Sequence, residues 1–240
     1  MLSAEKADRR HRFPPTLWSQ VISAQAGNPH DLEEICRRYW FPLYLFARRN
    51  GHSREAAEDL TQGFLAKFLE KDWLAKAERC RGRLRSFMLI HFKGYMRDEW
   101  RRGAAAKRGG RAAHLPCDFD DADARCDNEP VDDASPDRLF DRAWASSLLE
   151  RVLTRLREEF EANGQGTRFD ILQQCLAWNS DAEQYTELAP LLGVSVSGFK
   201  AAVFRLRTRF GRLLREEVGD TLEDERDTEA EIDSLFAAFR

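Results

Sequence analysis

The chain reads as an all-α protein of two helical domains, on three observations. Apolar residues recur at three- and four-residue steps along most of its 240 residues, strand-like alternation is scarce, and charge is gathered into blocks although the net charge is only −3. The expected layout is an N-terminal extension (1–15), a first helical domain (16–103), a flexible acidic linker (104–136), a second helical domain (137–217) that ends in a helix-turn-helix, and an acidic tail (218–240) with a short helix.

Each element has a local reason. Thr16, after Pro14 and Pro15, starts a helix that Gly27 stops. A second helix runs from about Asp31 to Asn50, with Pro42 as a point of bending because proline has no N–H to donate. Ser53 caps a third, whose stripe is Ala57, Leu60, Thr61, Phe64, Leu65, Phe68 and Leu69. Leu84, Phe87, Met88, His91 and Tyr95 form the inner stripe of a fourth, which turns Arg85, Lys93, Arg97, Trp100 and Arg101 onto its other faces. Beyond Arg102 a Gly-, Ala-, Asp- and Pro-rich run has no period and reads as the linker. Ser135 and Pro136 restart helix to about Glu161, with Leu139, Ala143, Trp144, Leu148, Val152, Leu153 and Leu156 on one side, and Thr167 opens another. The tail ends in LFAAF, apolar enough to dock.

Residues 185–215 point to function most directly. Leu188, Ala189 and Leu192 give a first helix an apolar face, Gly193 supplies a positive-φ turn, and Ser195 caps a second helix. That second helix carries Lys200, Arg205, Arg207, Arg209, Arg212 and Arg215 with no acid between Val196 and Arg215, while Val196, Phe199, Val203, Leu206 and Phe210 face inward. A cationic helix on a small apolar platform suits the DNA major groove. Ser197, Lys200, Ala201 and Phe204 are expected toward bases, and Arg205, Arg207 and Arg209 toward phosphates.

A second basic block lies at Arg81–Arg111, where ten Lys or Arg face only Asp98 and Glu99. Cations that follow a phosphate backbone, together with aromatics on which unpaired bases stack, suit single-stranded DNA. Lys93, Arg97, Arg101 and Arg102 are the expected backbone contacts and Trp100 the exposed aromatic, with Cys80–Arg83 as a flanking loop. Acidic stretches follow both basic modules. Nine Asp or Glu oppose Arg125 over 112–137, and ten oppose Arg226 and Arg240 over 216–240. Attraction between opposite blocks predicts that the tail covers basic surface, and that deleting 219–240 strengthens DNA binding by the free protein.

Other chemistries find little footing. The five cysteines contain no CxxC pair and imply reduced thiols. His114, Cys117 and Cys126 match no common zinc spacing, so no metal is expected. No glycine-rich phosphate loop follows a strand, no convergent catalytic set appears, and no cofactor is implied. The start, MLSAEKADRRHRF, has no signal-peptide core, and the run YWFPLYLFA is too short to span a bilayer, so a cytoplasmic protein with no membrane partner is expected.

Two segments in order carry a family resemblance. AEDLTQGFLAKFLEK (57–71) with LRSFMLIHFKGYMRDEWRR (84–102), and YTELAPLLGVSVSGFKAAVFRLR (185–207), resemble regions two and four of bacterial RNA polymerase sigma factors of the extracytoplasmic-function type, over roughly 16–103 and 138–217. The resemblance implies a transcription initiation subunit without enzymatic activity of its own. Its partners would be core RNA polymerase (β-prime clamp helices and β flap), promoter DNA at the minus-ten and minus-thirty-five elements, and an anti-sigma factor or other regulator. Asp59, Gln62, Phe64 and Lys67 would be the polymerase contacts. Gly63 stands where the family usually has an acid, Gly94 where an Asn often reads the minus-ten element, and Ala202 where an Arg is frequent; Pro190 implies a short or bent first helix in the second motif. A dimeric helix-turn-helix regulator is the alternative, and an enzyme with a DNA-binding appendage a more distant one.

Overall fold

A computed structural model describes residues 29–68, 84–105, 135–176, 182–222 and 224–239. Among them are eight α-helices, three 3₁₀ turns and no strand. The helices are α1 (Pro29–Arg49), α2 (Arg54–Phe68), α3 (Leu84–Ala105), α4 (Pro136–Ala162), α5 (Gly166–Leu172), α6 (Ala182–Leu188), α7 (Val196–Gly219) and α8 (Thr228–Ala237). The helix expected at Thr16–Gly27, the Cys80–Arg83 loop and nearly all of the linker lie outside the described residues.

The chain divides into two compact units, 1–145 with 219–240, and 146–218. This differs from the expected boundaries. The first turns of α4 belong to the first unit, and so does the whole tail beyond Val218.

The first unit is built on an aromatic core. Phe46, Phe64, Phe68, Phe92 and Phe140 are buried. Phe64 meets Phe92 edge-on at 5.1 Å between centroids, and Phe46 meets Phe92 at 6.1 Å and Phe140 at 6.5 Å. Such pairs add about 0.5–1.5 kcal/mol each beyond the area they bury. Helix α1 runs unbroken through Pro42, since a missing N–H removes one ladder bond and buried Phe41, Leu43, Tyr44 and Leu45 hold the segment on both sides. Ser53 Oγ accepts from the Ala56 amide at 3.3 Å and starts α2; Ser135 Oγ accepts from the Arg138 amide at 3.4 Å and starts α4.

Arg85 does not face outward as the helical period of α3 predicts; it is 5% exposed. Its Nη1 donates to Asp141 at 2.5 Å and its Nη2 to Ser234 at 2.9 Å, Nε lies 2.6 Å from Glu231 Oε1, and the guanidinium stands 5.2 Å over the Trp144 ring. Glu231 and Ser234 belong to α8, whose Ile232 and Leu235 are also buried. The tail is therefore part of this unit's interior. Deleting 219–240 would strip core from the unit and take Glu231 and Ser234 from Arg85, leaving it Asp141, so the effect of that deletion on DNA binding would be mixed with a loss of packing.

Gly63 is explained by packing. A Cβ there would fall 2.3 Å from the Tyr95 hydroxyl, so α2 is glycine where α3 brings Tyr95 across. Burial, then the neighbouring Glu99 carboxylate, push the Tyr95 phenol up to about 12.

In the second unit, Leu148, Val152 and Leu156 of α4, Phe169 and Leu172 of α5, and Phe199, Ala202, Val203, Leu206, Leu213 and Leu214 of α7 make the core. Helix α6 stops at Leu188. Ala189–Leu192 form a 3₁₀ turn with Pro190 at its start, where the missing N–H costs no α-helical bond. Gly193 at φ +63° reverses the chain, donating to the Pro190 carbonyl at 3.0 Å. Ser195 Oγ then accepts from the Gly198 amide at 3.2 Å to open α7. The segments Ala182–Leu192 and Val196–Gly219 meet at a bend of 97°.

Candidate nucleic-acid interface

Helix α7 presents the more complete surface. With Phe199, Ala202, Val203 and Leu206 buried, the period of 3.6 leaves Ser197, Lys200, Ala201, Phe204 and Arg205 exposed on one face, and Thr208 continues it. Phe204 is 71% exposed, a large apolar side chain held in water on a cationic helix. The Lys200 ammonium lies 6.0 Å from the Tyr185 ring, and Tyr185 in turn packs on Phe199 at 5.9 Å, so this exposed face is braced by α6.

Two of the seven expected contacts on this helix have internal roles. Arg207 donates from Nε at 3.1 Å and Nη2 at 2.7 Å to the Cys175 carbonyl, closing the 3₁₀ turn Gln173–Cys175 whose end carbonyls lack helical partners. Arg209 forks onto Glu159 of α4, with Nε 2.8 Å from Oε2 and Nη2 on Oε1. Arg207 follows Lys200 by seven residues and shares its stripe on a wheel; a carbonyl from a segment 32 residues upstream decides its role. Ala202 is buried, so the departure from the family's Arg falls on the core side.

The Arg209 guanidinium holds the Glu159 carboxyl below its ordinary 4.5, and Glu159 holds Arg209 up. A depressed folded-state carboxyl pKa stabilises above the unfolded value and loses that contribution as pH falls through the folded one. Glu159→Gln should thus lower the melting temperature at pH 7 by a small amount, equivalent to about 1 kcal/mol or less for a partly exposed pair. The gap between wild type and variant should close below pH 4.5, and a gap that stays constant down to pH 3 would contradict this assignment.

The α3 surface is patchier. Trp100 is 73% exposed, and Arg97, Arg101 and Arg102 share the exposed end of the helix. Arg102 pairs with Glu99 at 2.6 Å, Arg101 reaches Asp98 at 4.0 Å, and Arg97 makes no ion pair with any described residue. Lys93 is 2.7 Å from Asp137 and 5.5 Å from the Phe46 ring. Exposed pairs contribute about 0–1 kcal/mol, so these cations can exchange carboxylates for phosphates at little cost. Around Gly94 no atom of a described residue approaches within 4 Å of a notional Cβ.

Of the four expected polymerase contacts on α2, Asp59 is exposed and Gln62 and Lys67 are half-buried, with Lys67 Nζ 5.7 Å from the Tyr95 ring. Phe64 is wholly buried between Phe68, Phe92 and Tyr95, the core place its position on the apolar stripe favoured over the contact surface.

Arg168 and Thr208, which the sequence did not single out, line a concave groove with Arg205, Arg212 and Phe204. Arg168 lies on another helix, and no pattern within α7 could have joined it to the rest. Among the described residues no group of three or more His, Cys, Asp or Glu is placed to hold a metal ion, and His114, Cys117 and Cys126 lie outside those residues. No single helix among them is long and apolar enough to cross a membrane.

Comparison with known proteins finds no matching family model, no matching curated protein and no matching solved structure.

Proposed function

We propose that this chain is an alternative sigma factor: it joins core RNA polymerase, recognises promoter DNA, and assists melting at the minus-ten element. The observation that carries the reading is the face of α7, where a left-handed glycine turn and a serine cap lead into Ser197, Lys200, Ala201, Phe204 and Arg205 on one exposed side of a helix seated on α4 and α5. We read Ala182–Gly219 as a helix-turn-helix, because its 97° bend falls in the range of about 90–120° over which such pairs dock a recognition helix into the major groove. In the first unit, exposed Trp100 beside Arg97 and Arg101 supports the melting role, offering a stacking surface next to phosphate ligands. Enzymatic chemistry forms no part of this reading, and the cytoplasm, where the polymerase works, is the proposed location. An anti-sigma factor or similar regulator is a further proposed partner.

Docking is assigned to α2 through Asp59 and Gln62, with Lys67 beside them. Size-exclusion chromatography with core RNA polymerase tests this. Stoichiometric co-elution is expected for the wild type, with at least a tenfold loss in affinity for the Asp59→Ala, Gln62→Ala double variant. Co-elution that survives the double substitution moves the docking site elsewhere. A wild-type chain that binds DNA alone and ignores polymerase overturns the sigma reading in favour of a free-standing regulator.

A further inference from the structure

Helices α5 and α7 enclose an open groove into which Arg168, Arg205, Arg209 and Arg212 all project, with Phe160 and Phe204 at its sides and no carboxylate in its lining. Arg209 is neutralised by Glu159 behind the groove, a carboxylate that also feels the Arg212 charge; Arg168 and Arg205 make no ion pair with any described residue. Four guanidiniums lining one concave surface, with the Glu159 carboxylate behind them, repel one another and concentrate positive potential there. An anion with several oxygens relieves that repulsion, and guanidinium forks match phosphate geometry better than an ammonium does. Arg205 to Arg212 spans seven helical residues, about 10 Å of axis, which is the rise of about three nucleotides along one strand. The groove is also continuous with the reading face, because Phe204 and Arg205 belong to both.

We infer that this groove is a phosphate track, with Arg168 of α5 and Arg205 and Arg212 of α7 seating the backbone of one DNA strand beside the recognition face. The inference rests on the reading of this unit as DNA-binding and extends it to a helix outside the helix-turn-helix. Arg168 and Arg212 then act on all sequences alike, fixing register while Ser197, Lys200 and Phe204 face the bases.

The test is the salt dependence of binding by the full chain to a fluorescent 30-base-pair duplex of mixed sequence, between 50 and 200 mM KCl. Each phosphate contact contributes about 0.9 to the slope of log affinity against log salt. The Arg168→Gln, Arg212→Gln double variant should lose about 1.8 from the slope, Arg168→Lys should keep it, and Lys200→Gln, outside the groove, serves as reference. A wild-type slope in the double variant, with binding still weakened by Lys200→Gln, overturns the track and leaves DNA binding intact. Inorganic triphosphate bound without any change in the duplex slope also overturns it, because the groove then takes a free anion. No duplex binding by the wild type at 50 mM KCl removes both the track and the DNA-binding reading on which it rests.

Discussion

Arg85→Ala should cost the first unit about 3–5 kcal/mol, the usual result of removing one member of a buried ion pair. Glu231 is fully buried, its Oε1 is 2.6 Å from Arg85 Nε, and neither side chain has open water in which to recover solvation. Asp141 is half exposed and loses less. The magnitude is set by desolvation: a buried carboxylate that loses its guanidinium keeps the cost of having left water. Replacing both partners with apolar residues, as in Arg85→Met with Glu231→Leu, should therefore recover most of the loss. Urea unfolding of the full chain, followed by tryptophan fluorescence to include Trp144, measures all three. If Arg85→Ala costs less than about 1 kcal/mol, the pair is not a buried hub and α8 is not part of the core.

Gly63→Ala should destabilise by about 1–3 kcal/mol, although alanine in a helix interior is ordinarily worth about 1 kcal/mol more than glycine. The sign is decided by Tyr95. Its hydroxyl would stand 2.3 Å from the new Cβ, and moving it means shifting a ring that also packs on Phe64 at 5.9 Å between centroids. In a Tyr95→Phe background the nearest atom moves out to the ring carbon at 3.3 Å, and the same substitution should become neutral or slightly favourable. A double-mutant cycle gives the coupling directly. Equal effects of Gly63→Ala in both backgrounds would show that the hydroxyl does not set the requirement.

Those two sites also mark where reading the chain stopped working. The caps at Ser53, Ser135 and Ser195 and the turn at Gly193 were legible because their partners lie within three or four residues. The inner faces of α2 and α7 were legible because burial follows the helical period; on α3 the expected stripe held at Leu84, Phe87 and Met88 but not beyond, since His91 and Tyr95 are only half-buried and Phe92, off that stripe, is in the core. Arg85 was misplaced because the residues that bury it are 56 and 146 positions away, and no local pattern announces them. The same holds for Arg207 and Arg209, cations on a basic helix whose partners come from a 3₁₀ turn and from α4. Gly63 looked like a departure from a family pattern and is instead one half of a packing contact. In the candidate interface, Ser197, Lys200, Ala201, Phe204 and Arg205 share the exposed face that the period of α7 predicts, whereas the groove with Arg168 needs α5 folded against it. The division of α4 between two units at Ala145 and Ser146 leaves no trace in composition or period, since apolar positions continue across it.

The measurement that bears most directly on the central proposal is in vitro transcription by core RNA polymerase on fragmented genomic DNA, with and without the chain, mapping transcript 5′ ends. Chain-dependent start sites preceded by two shared elements are expected, lost when Lys200 and Arg205 are both replaced by alanine. Absence of chain-dependent starts, with duplex DNA still bound by the protein alone, would contradict it.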